Sequence, residues 1–382
     1  MFNSDVTLEE FLRDYWQKKP LLFRNAFPNF KSPLDADELA GLACEEDSNA
    51  RLIIETRDKP YWSVEYGPLE ESRFKSLPQT NWTLLVSDVE KHVLEGRELL
   101  EHFRFIPEWR IDDLMISYAV KGGSVGPHLD AYDVFLLQAE GQRHWSISNT
   151  ENNNDILEDI DLRILKSFTA EREWTLDPGD MLYLPPNVAH HGVAVDDCIT
   201  CSIGFRSPPV HTLISEYAES LAVMLPQDLR YTDADISQQQ HPAEITQESI
   251  KRIKQLLIDN LQINDEFVQK WFGEHITESN ATIQINHDPE DSTEKINLDE
   301  LQDEEFFSHS PSIKFLYSRY KDNALIFIDG QSFETSLNFA EMLCRSHTIM
   351  AKELVDSIRT ENDELILLKL LSLSYLLRNE KF

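Results

Sequence analysis

Residues 126–145, GPHLDAYDVFLLQAEGQRHW, put His128 and Asp130 two positions apart at the front of an apolar run, with Arg143 on its far side. In an extended backbone alternate side chains share a face, so the His128 imidazole and the Asp130 carboxylate can reach one ion. A third ligand is available in DPGDMLYLPPNVAHHGV, where a turn, a short strand and Pro185-Pro186 lead to His190-His191-Gly192. Two histidines and one carboxylate on one face of an octahedron leave three positions open, as non-haem Fe(II) oxygenases require; a structural zinc site is closed by four protein ligands.

Arg143, Trp145 and Ile147 alternate in GQRHWSIS and so share a face, which puts a cation beside two large apolar groups. A buried guanidinium is costly unless paired. A small dicarboxylic ligand such as 2-oxoglutarate carries a remote carboxylate that could meet it through two parallel hydrogen bonds, with Ser117 of DLMISYAV as a neutral helper. Each piece alone is weak, because H-x-D pairs, arginines with structural carboxylate partners and satisfied histidines are common. The order of the pieces along the chain is what points to an iron site.

The elements that must position these groups fall into three zones. Residues 1–208 mix short helical segments with many strand-like runs, divided by turn signals such as KGGSVGP, AEGQ and DPGD. Residues 209–278 carry three stretches with apolar residues at helical spacing, HTLISEYAESLAVML, ITQESIKRIKQLLIDNL and DEFVQKWFGEHI. Such exposed apolar stripes need partners, and a homodimer is the commonest outcome. Residues 279–312 are strongly acidic and read as a solvated linker or edge segment. Beyond them ALIFIDGQSFET reads as a hairpin about Asp329-Gly330, with helices over NFAEMLCRSHTIMAKELV and DELILLKLLSLSYLL, a small winged-helix-like module.

The 382 residues hold 35 Lys plus Arg against 68 Asp plus Glu, a formal net charge of −33. That balance argues against binding nucleic acid, which needs Lys and Arg to displace counterions, and favours a basic partner. The four cysteines are too few and scattered for a disulfide framework, and Cys198 and Cys201 in DDCITCSIGF fall on opposite faces of a strand. A reducing cytoplasm is the expected compartment. The N-terminal segment lacks the pattern of a signal peptide, and no stretch approaches the ~18 uninterrupted apolar residues of a membrane span.

The H-x-D pair, the PGDMLYLPPNVAHHG segment and the opening FLRDYWQKKPLLFRNAFP resemble the bacterial JmjC-type ribosomal oxygenases. The likeness is firm over the first two zones and loose over the tail. It implies an α+β chain with a double-stranded β-helix (cupin) over 1–208, a helical dimerisation region over 209–278, and an acidic linker plus winged-helix-like domain over 279–382. It also implies Fe(II), with 2-oxoglutarate and O2 as cosubstrates. His128 and Asp130 then match the proximal ligands. His190 matches the distal one, because the family places that ligand two residues before a glycine, here Gly192. Arg143 matches the holder of the distal carboxylate of 2-oxoglutarate, and Ser117 a further cosubstrate contact. The chain departs from the family at His191, where a charged side chain is expected. The implied reaction hydroxylates the β-carbon of an arginine in a large-subunit ribosomal protein. A histidine or methyl-lysine target would use the same ligand set, and a non-enzymatic cupin that binds a basic partner is the more distant alternative.

Overall fold

Within DVFLLQAE the four residues 134–137, VFLL, are apolar without a break because both faces of the strand are covered. The computed structural model describes residues 2–56, 61–149, 155–158, 161–261, 264–279 and 305–379. They fall into two units, Met1–Ser207 and Pro208–Phe382.

In the first unit the strands are β1 (Leu21–Phe23), β2 (Asn49–Glu55), β3 (Trp62–Tyr66), β4 (Trp82–Ser87), β5 (Ile111–Ala119), β6 (Asp133–Glu140), β7 (Arg143–Ser148), β8 (Arg172–Leu176), β9 (Met181–Leu184), β10 (Ala189–Ala194) and β11 (Cys198–Phe205). A large sheet runs β1-β9-β6-β11-β5-β4-β2-β3 and a small one β10-β7-β8, with every pairing antiparallel. Helices α1 (Leu8–Asp14) and α2 (Ala36–Leu42) begin with reciprocal caps, Thr7 with Glu10 and Asp35 with Glu38. The single turn α3 (Glu71–Phe74) follows, then α4 (Leu94–Glu101).

Alternation along the strands builds two cores. Phe135 and Leu137 of β6, Tyr183 of β9 and Cys201, Ile203 and Phe205 of β11 point to the outer face of the large sheet, where they pack with Phe11, Leu39, Leu99 and Leu100 from the helices. Val134 and Leu136 of β6, with Leu182 and Leu184 of β9, point the other way and meet Trp145, Ile147 and Leu176 of the small sheet. This sandwich of two antiparallel sheets is the double-stranded β-helix expected from the sequence. Cys198 packs with Ala119 and Ala194 while Cys201 joins the outer core; both thiols are free and face away from each other.

The second unit opens with α5 (Val210–Met224), α6 (Gln247–Asn260) and α7 (Asp265–Thr277), at the three stretches of helical spacing. Tyr217 of α5 meets the rings of Phe267 and Trp271 on α7 edge-on, and His275 Nδ1 lies 2.9 Å from Glu216. Next come β12 (Phe306–His309), β13 (Phe315–Tyr320), β14 (Asn323–Ile328), β15 (Gln331–Thr335), α8 (Leu337–Leu343), β16 (Thr348–Met350), α9 (Ala351–Asp356), α10 (Glu361–Ser372) and β17 (Leu376–Asn379). Helix α7 packs on the β13-β14-β15 sheet. A Cβ at Gly273 would stand 2.4 Å from the Phe327 ring, so only glycine allows this approach. The β14–β15 turn forms at Asp329 (φ 48) and Gly330 (φ 70), as a two-residue hairpin with both centres left-handed demands.

Two expectations for this unit change. The core of the acidic stretch, residues 280–304, lies outside the described residues, but its end is no linker: Phe306–His309 is the central strand of a second sheet, β16-β12-β17. The run NFAEMLCRSHTIMAKELV is not continuously helical either, because Thr348–Met350 pairs with that same strand and separates α8 from α9. Helices and small sheets share one core around Phe307, Phe315, Phe339, Leu343 and Leu367, which gives the winged-helix domain. Among the described residues no helix is long and apolar enough to cross a membrane.

Candidate metal centre

His128 does not lie in β6 but in the extended segment before it, held by a two-way bridge to β10: His128 N donates to His190 O at 3.0 Å and His190 N to His128 O at 2.9 Å. Asp130 follows two residues later, its carbonyl accepting from Asn187 N at 2.7 Å. One ligand atom from each of His128, Asp130 and His190 lies within 4.8 Å of the others, and Asp130 Oδ2 is 3.8 Å from His128 Nε2 and 3.5 Å from His190 Nε2.

Backbone carbonyls fix both rings. His128 Nδ1 lies 2.9 Å from Gly126 O and His190 Nδ1 3.0 Å from Val188 O, so each Nδ1–H donates outward and each Nε2 lone pair faces Asp130. Burial, with His128 adding to it, pushes the His190 pKa down to about 4 against the opposing pull of Asp130. The ring is therefore neutral at pH 7, the form a metal binds. His191, the next residue along β10, faces the other way and meets the Phe168 ring edge-on. The structure thus brings His190 into the cluster and leaves His191 out.

Arg143, at the start of β7, is 3 % exposed. Its Nη1 donates to Ser117 Oγ and its Nη2 to Gly192 O, both at 3.4 Å, and among the described residues its Nε has no hydrogen-bond partner. Burial lowers its pKa, the signature of a cation lacking an anion. The guanidinium lies over the Trp145 ring at 5.2 Å. Gly192 makes room for both: a Cβ there would stand 2.7 Å from the Trp145 ring and 2.8 Å from Arg143 Nε. An under-satisfied, buried guanidinium beside Ser117 fits a ligand carboxylate, which would supply two strong acceptors. The triad, Arg143 and Ser117 line one cavity of about 690 Å3.

The walls of that cavity extend the two alternations the sequence already displayed. After His128 and Asp130 come Tyr132, Val134 and Leu136; before Ser117 come Met115 and Asp113. These residues were not singled out from the sequence, although counting in twos from the named ones reaches them. Thr200, Ser202 and Gly204 of β11 line it by the same rule. Burial, then the neighbouring Asp130 and Asp113 carboxylates, raises the pKa of the Tyr132 phenol. Burial, then the neighbouring Asp112 and Asp88, raises the Asp113 carboxyl to about 6. Arg51 and residues Asp161–Ile164 also line the cavity, and no local pattern announced them.

Known proteins are similar to this chain in sequence and fold. The JmjC domain family matches residues 98–213 and the ROXA-like winged helix family residues 256–377. The ribosomal protein uL16 3-hydroxylase of Escherichia coli is 37% identical over 276 residues, 72% of this chain and 73% of that protein. The chain belongs to the JmjC ribosomal oxygenases. A probable ribosomal oxygenase of Haemophilus influenzae is 38% identical over 269 residues, 69% of this chain and 66% of that protein. The solved structure of the ribosomal oxygenase YcfD of E. coli in complex with cobalt and 2-oxoglutarate superposes with a TM-score of 0.81 at 30% identity, covering 99% of this chain and 100% of that one. In that family member cobalt and 2-oxoglutarate are thus bound by a fold shared along nearly the whole chain.

Proposed function

We propose that this chain is an Fe(II)- and 2-oxoglutarate-dependent oxygenase that hydroxylates the β-carbon of an arginine side chain in large-subunit ribosomal protein uL16. The observation that carries the reading is the meeting of His128, Asp130 and His190 with an anion-deficient Arg143 in one cavity. In this reading His128, Asp130 and His190 hold iron, Arg143 holds the remote carboxylate of 2-oxoglutarate, and Ser117 assists it. Bound iron and 2-oxoglutarate supply the chemistry that divides O2 between succinate, with loss of CO2, and a hydroxyl on the target carbon.

The chain's own groups orient and shield. The Gly126 and Val188 carbonyls fix the tautomers of the two imidazoles. Trp145, Val134 and Leu136 give the inner end of the cavity an apolar wall that keeps bulk water from the reacting centre. Asp88, Asp112 and Asp113 supply negative potential in the cavity, and a substrate guanidinium beside Asp113 would favour its ionised form. The −33 charge of the chain would speed encounter with a basic ribosomal protein. The likeness to the uL16 3-hydroxylase of E. coli supports this target over histidine or methyl-lysine. A uL16 fragment incubated with the protein, Fe(II), 2-oxoglutarate and ascorbate is expected to gain one oxygen atom on an arginine, read by tandem mass spectrometry. Oxidation of another residue type, or none, rejects the target.

We assign catalysis to residues 1–208, dimerisation to 209–278, and a linker with a winged-helix domain that binds no DNA to 279–382, in a cytoplasmic homodimer. Helix α6 buries none of its residues, and Ile250, Ile253, Leu257 and Ile258 are 42–55 % exposed, an apolar stripe suited to a second copy. In sedimentation the wild type is expected to run as a dimer and Leu257→Asp as a monomer. A monomeric wild type at micromolar concentration rejects the assignment.

A further inference from the structure

Besides Arg143, the guanidinium groups of Arg51, Arg163 and Arg206 line the cavity; Arg206 lies 3.1 Å from Asp112, and Arg51 has no part in holding iron or 2-oxoglutarate. Arg51 of β2 stands in register with Leu85 of β4, and Leu85 with Ser117 of β5, so Arg51 lies two strands across from Ser117, roughly 10 Å away. Asp113 lies four residues along β5 from the same serine, roughly 13 Å. Arg51 and Asp113 therefore occupy different places on the cavity wall, one across the strands from Ser117 and the other along its own strand.

Among the described residues, the one hydrogen-bond contact of Arg51 is its Nη2 with Met115 Sδ at 3.8 Å, and a thioether is a weak acceptor. The Asp161 carboxylate, which also lines the cavity, is engaged by the Tyr66 phenol at 2.6 Å. Lys and Arg are outnumbered almost two to one by Asp and Glu, 35 to 68, yet this cation lines the cavity that would receive a basic peptide. It repels such a peptide unless the peptide brings an oxygen to meet it.

We propose that Arg51 is a specificity-determining residue whose guanidinium binds an acceptor oxygen of the substrate peptide beside the target arginine. The proposal rests on the peptide-oxygenase reading above. The oxygen belongs to a main-chain carbonyl or to the carboxylate of a neighbouring side chain, and the planar fork of donors serves both.

The full-length protein, with iron and 2-oxoglutarate, is compared with Arg51→Met and Arg51→Lys on a uL16 peptide. Arg51→Met is expected to raise the peptide KM about tenfold, with the KM for 2-oxoglutarate held and Arg51→Lys between the two. Peptides with Asp or Lys at each position within three of the target separate the sources. A carboxylate source gives a wild-type preference for Asp at one position that Arg51→Met lacks; a carbonyl source gives an equal rise for every peptide. A peptide KM within twofold of wild type overturns the proposal. So does a rise in the 2-oxoglutarate KM in step with it, which would make Arg51 a support for Met115 and the Ser117 row. Fluorescence anisotropy of the labelled peptide reads the same contact without turnover: tenfold weaker binding to Arg51→Met by a protein that oxidises nothing would sustain this proposal and reject the reaction.

Discussion

Asp130→Ala is expected to lose turnover and to weaken Fe(II) binding by well over 100-fold. Loss of a partner that merely orients a ligand costs roughly 10–100-fold, and Asp130 is the carboxylate of the cluster itself, 3.5 Å and 3.8 Å from the two imidazoles. The fold should survive, because the His128–His190 bridge is made by main chain and Asp130 lends only its carbonyl to Asn187. Calorimetric titration of metal beside far-UV circular dichroism checks both halves. A variant that folds and binds iron as the wild type does would remove Asp130 from the ligand set.

Arg143→Met is expected to raise the KM for 2-oxoglutarate by roughly 100-fold or more, since two charge-assisted hydrogen bonds of about 1.5–3 kcal/mol each are lost. Its effect on the ligand-free protein should have the opposite sense. The guanidinium is buried with two contacts at 3.4 Å and an unpartnered Nε, so an apolar side chain of similar size leaves the melting temperature unchanged or raises it. A variant that melts far below the wild type without 2-oxoglutarate, yet keeps the cosubstrate KM, would make Arg143 a structural residue. Arg143→Lys should not rescue, because a point charge cannot reproduce the planar fork.

The parts of the site legible in the sequence obey local alternation. His128 and Asp130 share a face because they are two apart in extended chain, and Arg143, Trp145 and Ile147 point inward for the same reason. The choice between His190 and His191 needed family likeness, because two adjacent imidazoles look alike until the direction of β10 is known. Arg51 stayed hidden: its place in the cavity depends on β2 joining the sheet beside β4, a pairing between segments about thirty residues apart. In the tail, β12 and β16 were missed for a similar reason. Neither FFSH nor TIM is a convincing strand alone, and each becomes one through a partner far along the chain. The orientation of the two imidazoles by the Gly126 and Val188 carbonyls left no trace in residue type, since any residue supplies that oxygen.

The most direct test is an anaerobic titration of the protein with Fe(II) in the presence of 2-oxoglutarate, followed by the weak visible charge-transfer band of the metal–oxoacid chelate. One equivalent of iron per chain should saturate the band in the wild type, and His190→Ala should abolish it while His191→Ala leaves it in place. A wild type with no saturable band, or a His190→Ala protein that develops it at the same stoichiometry, would contradict the three-ligand centre.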